Sequence, residues 1–499
     1  MGLKSYIIKN ISSITYRNTL KMKKNAVDDQ RSIMKQLIVK ASQTKYGKEH
    51  HFDQIHIYSD FKQHIPISDY EGLKGYIEHI KNGEKNILWP GIPKYFAKTS
   101  GTTSGIKYIP ITNESMPNHI NTARIAMFNY FHLKGSADVF DGNVIFLSGS
   151  PELEMIHGIP TGRLSGIVNH EVPTWVKKNQ LPTLKTNCIE DWEKKLDKII
   201  EETLTKDMRL ISGIPPWVQM YYEKLLEKTG KQTVKDVFPN YSLFMYGGVN
   251  FEPYRSKLES LIGDRIDGIE TYPASEGFIA FQDDYRSEGL LLNTNSGIFF
   301  EFIPLSQIGL SHPERYAIED VEIGQDYALI INNNAGLFGY SIGDCVRFIS
   351  LDPYKILVTG RVKHFISAFG EHVIGKEVEE AMQSVSQRQN LKIVEFTVAP
   401  QVNPPDHALP YHEWFVEFDS DKFSKTELEA QLDDAMRQQN IYYDDLIQGK
   451  ILQPLKVTVL QKDAFRSYMK SEGKLGGQNK VPRLSNDRKI ADALQAYIA

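Results

Sequence analysis

Apolar positions recur at helical spacing in three stretches of the chain. Over residues 29–42, Ile33, Met34, Leu37, Ile38 and Ala41 share one face of a helix. Trp192, Leu196, Ile199, Ile200 and Leu204 form a second stripe, and Trp217, Val218, Tyr221, Tyr222, Leu225 and Leu226 a third. Such stripes face a core more often than they line a groove. Between them lie short apolar runs at Asn143–Ser148, Ser242–Tyr246, Ile298–Ile303 and Tyr327–Ile331, which read as buried strands. Helices alternating with buried strands predict an α/β body whose sheets are covered on both faces.

The pattern changes after about residue 360. A helix over Lys376–Ser386 precedes strands at Ile393–Val398 and Glu413–Phe418, and a last strand covers Leu455–Leu460. Ser424 and Thr426, with Glu427 and Glu429 three residues on, introduce a second helix as a double capping box. The order α-β-β-α-β predicts a small α+β domain. The expected division is a body over 1–359, a linker over 360–364 within Thr359-Gly-Arg-Val-Lys-His364, and a small domain over 365–499. No internal repeat or low-complexity segment interrupts it.

Composition narrows the function classes. The 58 Lys and Arg nearly balance the 62 Asp and Glu, so no single-sign field invites nucleic acid or an anionic membrane. Two distant cysteines, Cys188 and Cys345, make neither a disulfide framework nor a thiolate metal site, which points to a reducing compartment. No apolar run is long enough to span a membrane. Met1-Gly2 begins like a myristoylation site, but Tyr6 stands where Ser or Thr is required, and no signal-peptide core follows. These features predict a cytoplasmic protein.

The densest chemistry lies in Thr99-Ser-Gly-Thr-Thr-Ser-Gly-Ile-Lys107. Glycines let backbone N–H groups approach an anion, hydroxyls add donors, and the lysine adds charge, so the segment suits phosphate oxygens. It lacks the spacing of a P-loop and of a dinucleotide fingerprint. It does fit the phosphate loop of the adenylate-forming superfamily.

Four weaker segments follow. Tyr246-Gly-Gly-Val-Asn250 would let a flat ligand lie on backbone, although a tight strand-to-helix turn explains it equally well. Tyr272-Pro-Ala-Ser-Glu276 places a ring that can stack on a base before a carboxylate that can help hold magnesium; a turn with a solvated Glu is the plainer reading. Tyr340-Ser-Ile-Gly-Asp344 reads as a glycine–Asp loop whose carboxylate can accept both ribose hydroxyls, or simply close a turn. Gly476-Gly-Gln-Asn-Lys480-Val-Pro-Arg483 reads as a loop that delivers one lysine to an acyl phosphate, or as a basic surface tail. His50, His51 and His56 have no convincing set of metal-binding partners.

The order of these segments resembles the adenylate-forming ligases. More narrowly, Gln43-Thr-Lys-Tyr-Gly-Lys-Glu-His-His-Phe52, Ile211-Ser-Gly-Ile-Pro-Pro-Trp217 and Gln478-Asn-Lys-Val-Pro-Arg483 resemble the auxin-responsive Gretchen Hagen family of acyl acid amido synthetases, in its bacterial form. The resemblance covers nearly the whole chain. It implies that Ser100, Gly101, Thr102, Thr103 and Ser104 wrap the ATP phosphates and that Lys107 closes the loop. It places Tyr272 on adenine, with Ser275 in the same nucleotide loop, and Glu276 beside Mg2+. Asp344 would grip the ribose with Arg361 just beyond, Lys363 would be the hinge, and Lys480 the catalytic lysine. Pro273 and Ala274 depart from the family pattern of a small residue and Ser, and Pro273 removes a backbone donor.

The reaction implied has two steps. A carboxylic acid attacks the α-phosphate of ATP to give an acyl-adenylate and pyrophosphate, and an amine, expected to be an amino acid, then takes the acyl group. Transfer to coenzyme A or a carrier thiol is the first alternative, and a non-catalytic ligand-binding protein on a decayed ligase the second. The acyl pocket is expected near Arg124–Phe131, Leu147–Leu164 and Tyr246–Phe251, with Arg124 or Arg163 and Gly247, Gly248 and Val249 as substrate contacts.

Overall fold

A computed structural model describes the chain except residues 1–2, 101–105, 173–176, 250, 309, 311, 362–364, 367, 372, 390, 406–407, 420–422 and 473–480. The first helix, α1, runs over Leu3–Ala41, far beyond the stripe at 29–42. Its earlier turns bury polar residues, which hides the apolar period. Ser12 is buried, and Thr19 Oγ1 donates to Asn129 Oδ1 at 3.1 Å; at the start of the stripe's own stretch, Gln30 Nε2 donates to the Thr294 and Ile298 carbonyls at 2.8 Å each. Helices α2 (Tyr70–Lys81), α3 (Met116–Lys134), α4 (Leu164–Glu171), α5 (Trp192–Thr203), α6 (Pro215–Thr229) and α7 (Glu252–Ile262) complete the main helices of the body. α5 stops at Thr203, leaving Leu204 outside the stripe and 40 % exposed.

A four-stranded sheet holds β1 (Tyr95–Ser100), β2 (Ile106–Ile111), β4 (Glu154–Ile156) and β5 (Ile159–Gly162) in the order β2-β1-β5-β4. Its neighbour has eleven strands: β3 (Asn143–Phe146), β6 (Gln180–Leu181), β7 (Met208–Ser212), β8 (Leu243–Gly247), β9 (Asp267–Ala274), β10 (Gly277–Phe281), β11 (Leu290–Leu292), β12 (Ile298–Pro304), β13 (Asp326–Asn333), β14 (Tyr340–Leu351) and β15 (Tyr354–Arg361). The β6-β3-β7-β8-β9 half is parallel, and the other strands continue from β9 as antiparallel neighbours.

Two expected loops are strands here. Tyr340–Asp344 opens β14, hydrogen-bonded on both sides, and is not a glycine–Asp loop. Between the pairs Ala328↔Cys345 and Ile330↔Ser341 the register shifts, which places Ile342–Asp344 in a bulge. Gly343, at φ +85°, supplies the left-handed turn that this bulge requires. Thr359, Gly360 and Arg361 likewise belong to β15, so the start of the expected linker is part of the sheet.

Beyond it lie a two-stranded hairpin, β16 (Phe365–Ile366) with β17 (Val373–Ile374), and a three-stranded sheet of β18 (Ile393–Gln401), β19 (Tyr411–Phe418) and β20 (Lys456–Leu460). Its helices are α8 (Gly375–Gln389), α9 (Lys425–Gln439), α10 (Ile441–Gln448), α11 (Ala464–Ser471) and α12 (Lys489–Leu494), so the α-β-β-α-β order lacked three helices. Asn440 links α9 to α10 by accepting from the N–H groups of Tyr442 and Tyr443. One cap begins α9: Ser424 accepts from the Glu427 N–H, while Thr426 lies inside the helix, so the double capping box does not form. One buried cluster runs from Ile199, Val218 and Tyr254 of the body into Val378, Trp414 and Leu432 of the C-terminal part.

Candidate nucleotide and substrate site

β1 and β2 pair antiparallel, with Thr99 opposite Lys107 and Ser100 opposite Ile106. Thr99 and Ser100 of the hydroxyl-rich segment therefore end one strand, and Ile106 and Lys107 begin the other. Gly101, Thr102, Thr103 and Ser104 lie outside the described residues, as do Lys363 and Lys480. Lys107 Nζ sits 5.8 Å from the centre of the Tyr70 ring, and the Tyr70 hydroxyl accepts from the Tyr108 N–H at 3.1 Å. Helix α2 thus braces the strand that carries Lys107.

β9 and β10 make a second hairpin, and Ser275 and Glu276 form its two-residue turn between paired Ala274 and Gly277. β8 accompanies β9 only as far as Thr271. Pro273 therefore has a strand on one side alone, a setting that tolerates the missing donor. The backbone carbonyl of Glu276 accepts from Asn333 Nδ2 at 2.7 Å, and its carboxylate accepts from the Tyr340 hydroxyl at 3.3 Å. Burial first, then the Glu276 carboxylate, holds the Tyr340 phenol well above its usual range, so it stays a donor.

Tyr272 and Asp344 meet directly: the buried Tyr272 hydroxyl donates to Asp344 Oδ2 at 2.5 Å. Asp344 is opposite Arg361 on the neighbouring strand. Residues 72 positions apart are joined by the sheet order β9-β10-β11-β15-β14. The ring expected to stack on a base is thus anchored by the carboxylate expected to hold the ribose.

The C-terminal part reaches this region through α10. The Tyr442 hydroxyl donates to the Lys98 carbonyl on β1, and its phenol, pushed up to about 12 chiefly by burial, also feels Glu276. The Arg163 guanidinium lies 5.0 Å from the Tyr442 ring centre and pairs with Asp445. Burial lowers the proton affinity of Arg163.

A cavity of about 720 Å³ opens here, between the hairpin edge at Lys98 and Ile106, α5, and the α10 face at Tyr442. Arg163 lines it, but the other expected substrate contacts do not. Arg124 is exposed on α3. Gly247 ends β8 where a Cβ would fall 2.1 Å from the Thr271 carbonyl oxygen, and Val249 packs into the core. Lys195, Trp192 and Trp217 line the cavity and were not expected to. The available signal was a lysine in the apolar stripe: Trp192, Lys195, Leu196, Ile199, Ile200 and Thr203 form the buried face of α5.

His50 Nδ1 lies 3.1 Å from the His64 carbonyl oxygen, and among the described residues no group of three or more His, Cys, Asp or Glu is arranged to hold a metal ion. Nor is any helix among them long and apolar enough to cross a membrane.

Known proteins place these features in a family. A jasmonoyl–L-amino acid synthetase, JAR4 of Nicotiana attenuata, is 24 % identical over 58 % of this chain and 60 % of its own length. The indole-3-acetic acid-amido synthetase GH3.4 of Arabidopsis thaliana is 22 % identical over 91 % of this chain and 88 % of its own. Among solved structures, the GH3.15 acyl acid amido synthetase in complex with 2,4-DB superposes with a TM-score of 0.62 at 16 % identity, covering 97 % of this chain and 96 % of that one. A 2-hydroxyisobutyryl-CoA ligase gives 0.58 at 13 % identity, covering 96 % and 92 %. These likenesses show the adenylate-forming fold. The GH3 family N-terminal domain matches residues 15–166 and 160–266, the central domain residues 291–361, and the C-terminal domain residues 376–489; the chain belongs to the GH3 family.

Proposed function

We propose that the protein is an ATP-dependent acyl acid amido synthetase. The carboxylate of an acyl acid attacks the α-phosphate of ATP and pyrophosphate leaves. An amino acid's amine then attacks the acyl carbon of the adenylate, the acyl C–O bond breaks with its electron pair going to AMP, and the nitrogen gives up a proton. The observation that carries this reading is the contact between Tyr272 and Asp344 in a chain matched by all three GH3 domains. It would offer one aromatic ring and one acceptor-only carboxylate to the base and sugar of a nucleotide.

Such a reaction needs positioning and charge neutralisation more than covalent catalysis. Ser100, Gly101, Thr102, Thr103, Ser104 and Lys107 would take the phosphates at the mouth of the hairpin. Tyr272 and Ser275 would take the adenine side, and Asp344 with Arg361 the ribose. Glu276 suits Mg2+, which prefers one or two carboxylates together with phosphate oxygens and water. When bound, the ion would neutralise phosphate charge, while Tyr340 holds the Glu276 carboxylate in place. Lys480 would meet the charge that develops on the acyl phosphate.

With Gly360 and Arg361 held in β15, the division that fits is a body ending at 361, a hinge at 362–364 containing Lys363, and a C-terminal domain over 365–499. The family matches support it by ending at 361 and resuming at 376. We expect carboxylate-dependent ATP–pyrophosphate exchange across a panel of acids, and its loss by a factor of about 100 in Lys480→Ala. Absence of exchange with every acid contradicts the reading. Equal rates in variant and parent remove Lys480 from it.

A further inference from the structure

Lys195 is a buried cation on the cavity wall, and the carboxylates on that wall, Glu152, Glu154, Glu190, Asp191 and Asp445, form no ion pair with it. It is 3 % exposed, and its ammonium donates to two neutral acceptors, the Ser148 carbonyl at 2.9 Å and the Asn187 carbonyl at 2.8 Å. Among the described residues no carboxylate lies within ion-pair distance of it. An ammonium has three donors, and a buried charge calls for a counter-charge. Burial lowers the proton affinity of Lys195; Cys188 opposes that shift, and Arg163, itself paired with Asp445 on the same cavity, adds to it.

The rest of the wall says what kind of anion fits. Trp192 and Trp217 pack 4.9 Å apart and give an aromatic side wall. Glu152, Glu154 and Glu190 line the exposed rim; Lys98 pairs with Glu154 and Arg163 with Asp445, so the entrance is acidic and Lys195 is the lining cation without an ion pair among the described residues. An acidic rim disfavours a ligand of net negative charge and admits a zwitterion. The other end of the cavity reaches Lys98 and Ile106 at the hairpin.

We propose that Lys195 anchors the α-carboxylate of the amino acid acceptor, in a subsite walled by Trp192 and Trp217. The proposal rests on the amido synthetase reading. In that reaction the acyl acid's carboxylate is consumed, whereas the acceptor's carboxylate survives and needs a fixed partner. α10 closes one side, so the subsite is completed by the C-terminal domain.

The test compares the preferred amino acid with its carboxamide in the full chain, using the parent, Lys195→Met and Lys195→Arg. The parent should prefer the amino acid by about tenfold or more in kcat/KM, as expected for a charge-assisted contact. Lys195→Met should bring that ratio to within about twofold, through KM, and Lys195→Arg should restore part of it. The KM of the acyl acid in pyrophosphate exchange should not move. Calorimetric titration with the same pair gives the comparison without turnover, so exchange in the parent decides the function and the ratio decides the subsite. An unchanged ratio in Lys195→Met overturns the proposal. So does a rise in the acyl acid's KM, which would assign the carboxylate to the acyl acid, or an equal loss with both acceptors, which marks a structural role.

Discussion

The Tyr272 hydroxyl ties an aromatic ring to the Asp344 carboxylate across the large sheet, and this contact makes the proposed nucleotide site testable one residue at a time. Tyr272→Phe keeps the ring and removes one donor, so the KM for ATP should rise by a factor of about 3–10. Asp344→Ala removes the acceptor itself and should cost more than about tenfold. Equal ATP affinity in both variants and the parent, by calorimetry, would remove the pair from the site. A second single-residue effect is a dependence on acid. Burial pushes His119, 4 % exposed on α3, down to about 4 from an ordinary 6.5. The unfolded chain takes up a proton that the folded one refuses. Stability from this residue is therefore complete above about 6.5 and is lost as pH falls toward 4, by up to about 3 kcal/mol. The urea midpoint of the parent should fall more steeply over that window than that of His119→Gln. Parallel profiles would contradict the assignment.

At the scale of elements, hairpins and strand ends decide what each motif does. Gly247 shows this. Expected as a substrate contact, it sits where β8 meets β9 so closely that a Cβ would collide with the Thr271 carbonyl, which gives the glycine a packing role of its own. Gly247→Ala should lower stability by about 1–3 kcal/mol in denaturant titration while leaving the acyl acid's KM unchanged. A raised KM at full stability would return Gly247 to the substrate site. The helical stripes at Trp192 and Trp217 were legible because apolar period and burial coincide there. The turns of α1 before the stripe at 29–42 were not, because Ser12 and Thr19 are buried polar residues, and Thr19 is satisfied by Asn129, far along the chain. The strand at Tyr340–Asp344 was also hidden. A glycine before an Asp signals a turn locally, and only β13 and β15 on either side make it a bulged strand.

At the scale of the molecule, the chain's two parts meet beside the hairpin. Tyr442 reaches Lys98, Arg163 pairs with Asp445, and Lys450 pairs with Glu193 at 3.0 Å. Tyr272, Asp344 and Glu276 could be singled out from residue type and order along the chain. That α10 would wall a cavity with α5 could not, because the contact joins segments about 250 residues apart that carry no motif. Lys195 is the residue this hid, a charge whose place in an apolar stripe has meaning only beside the cavity. The fold alone does not choose the acceptor, since a CoA ligase and an amido synthetase both superpose on it. The most direct measurement supplies ATP, an acid active in exchange, mixed amino acids and coenzyme A together, and identifies the products by mass. The predicted result is AMP, pyrophosphate and an acid–amino acid conjugate joined with loss of water. A thioester as the only acyl product would contradict amide synthesis.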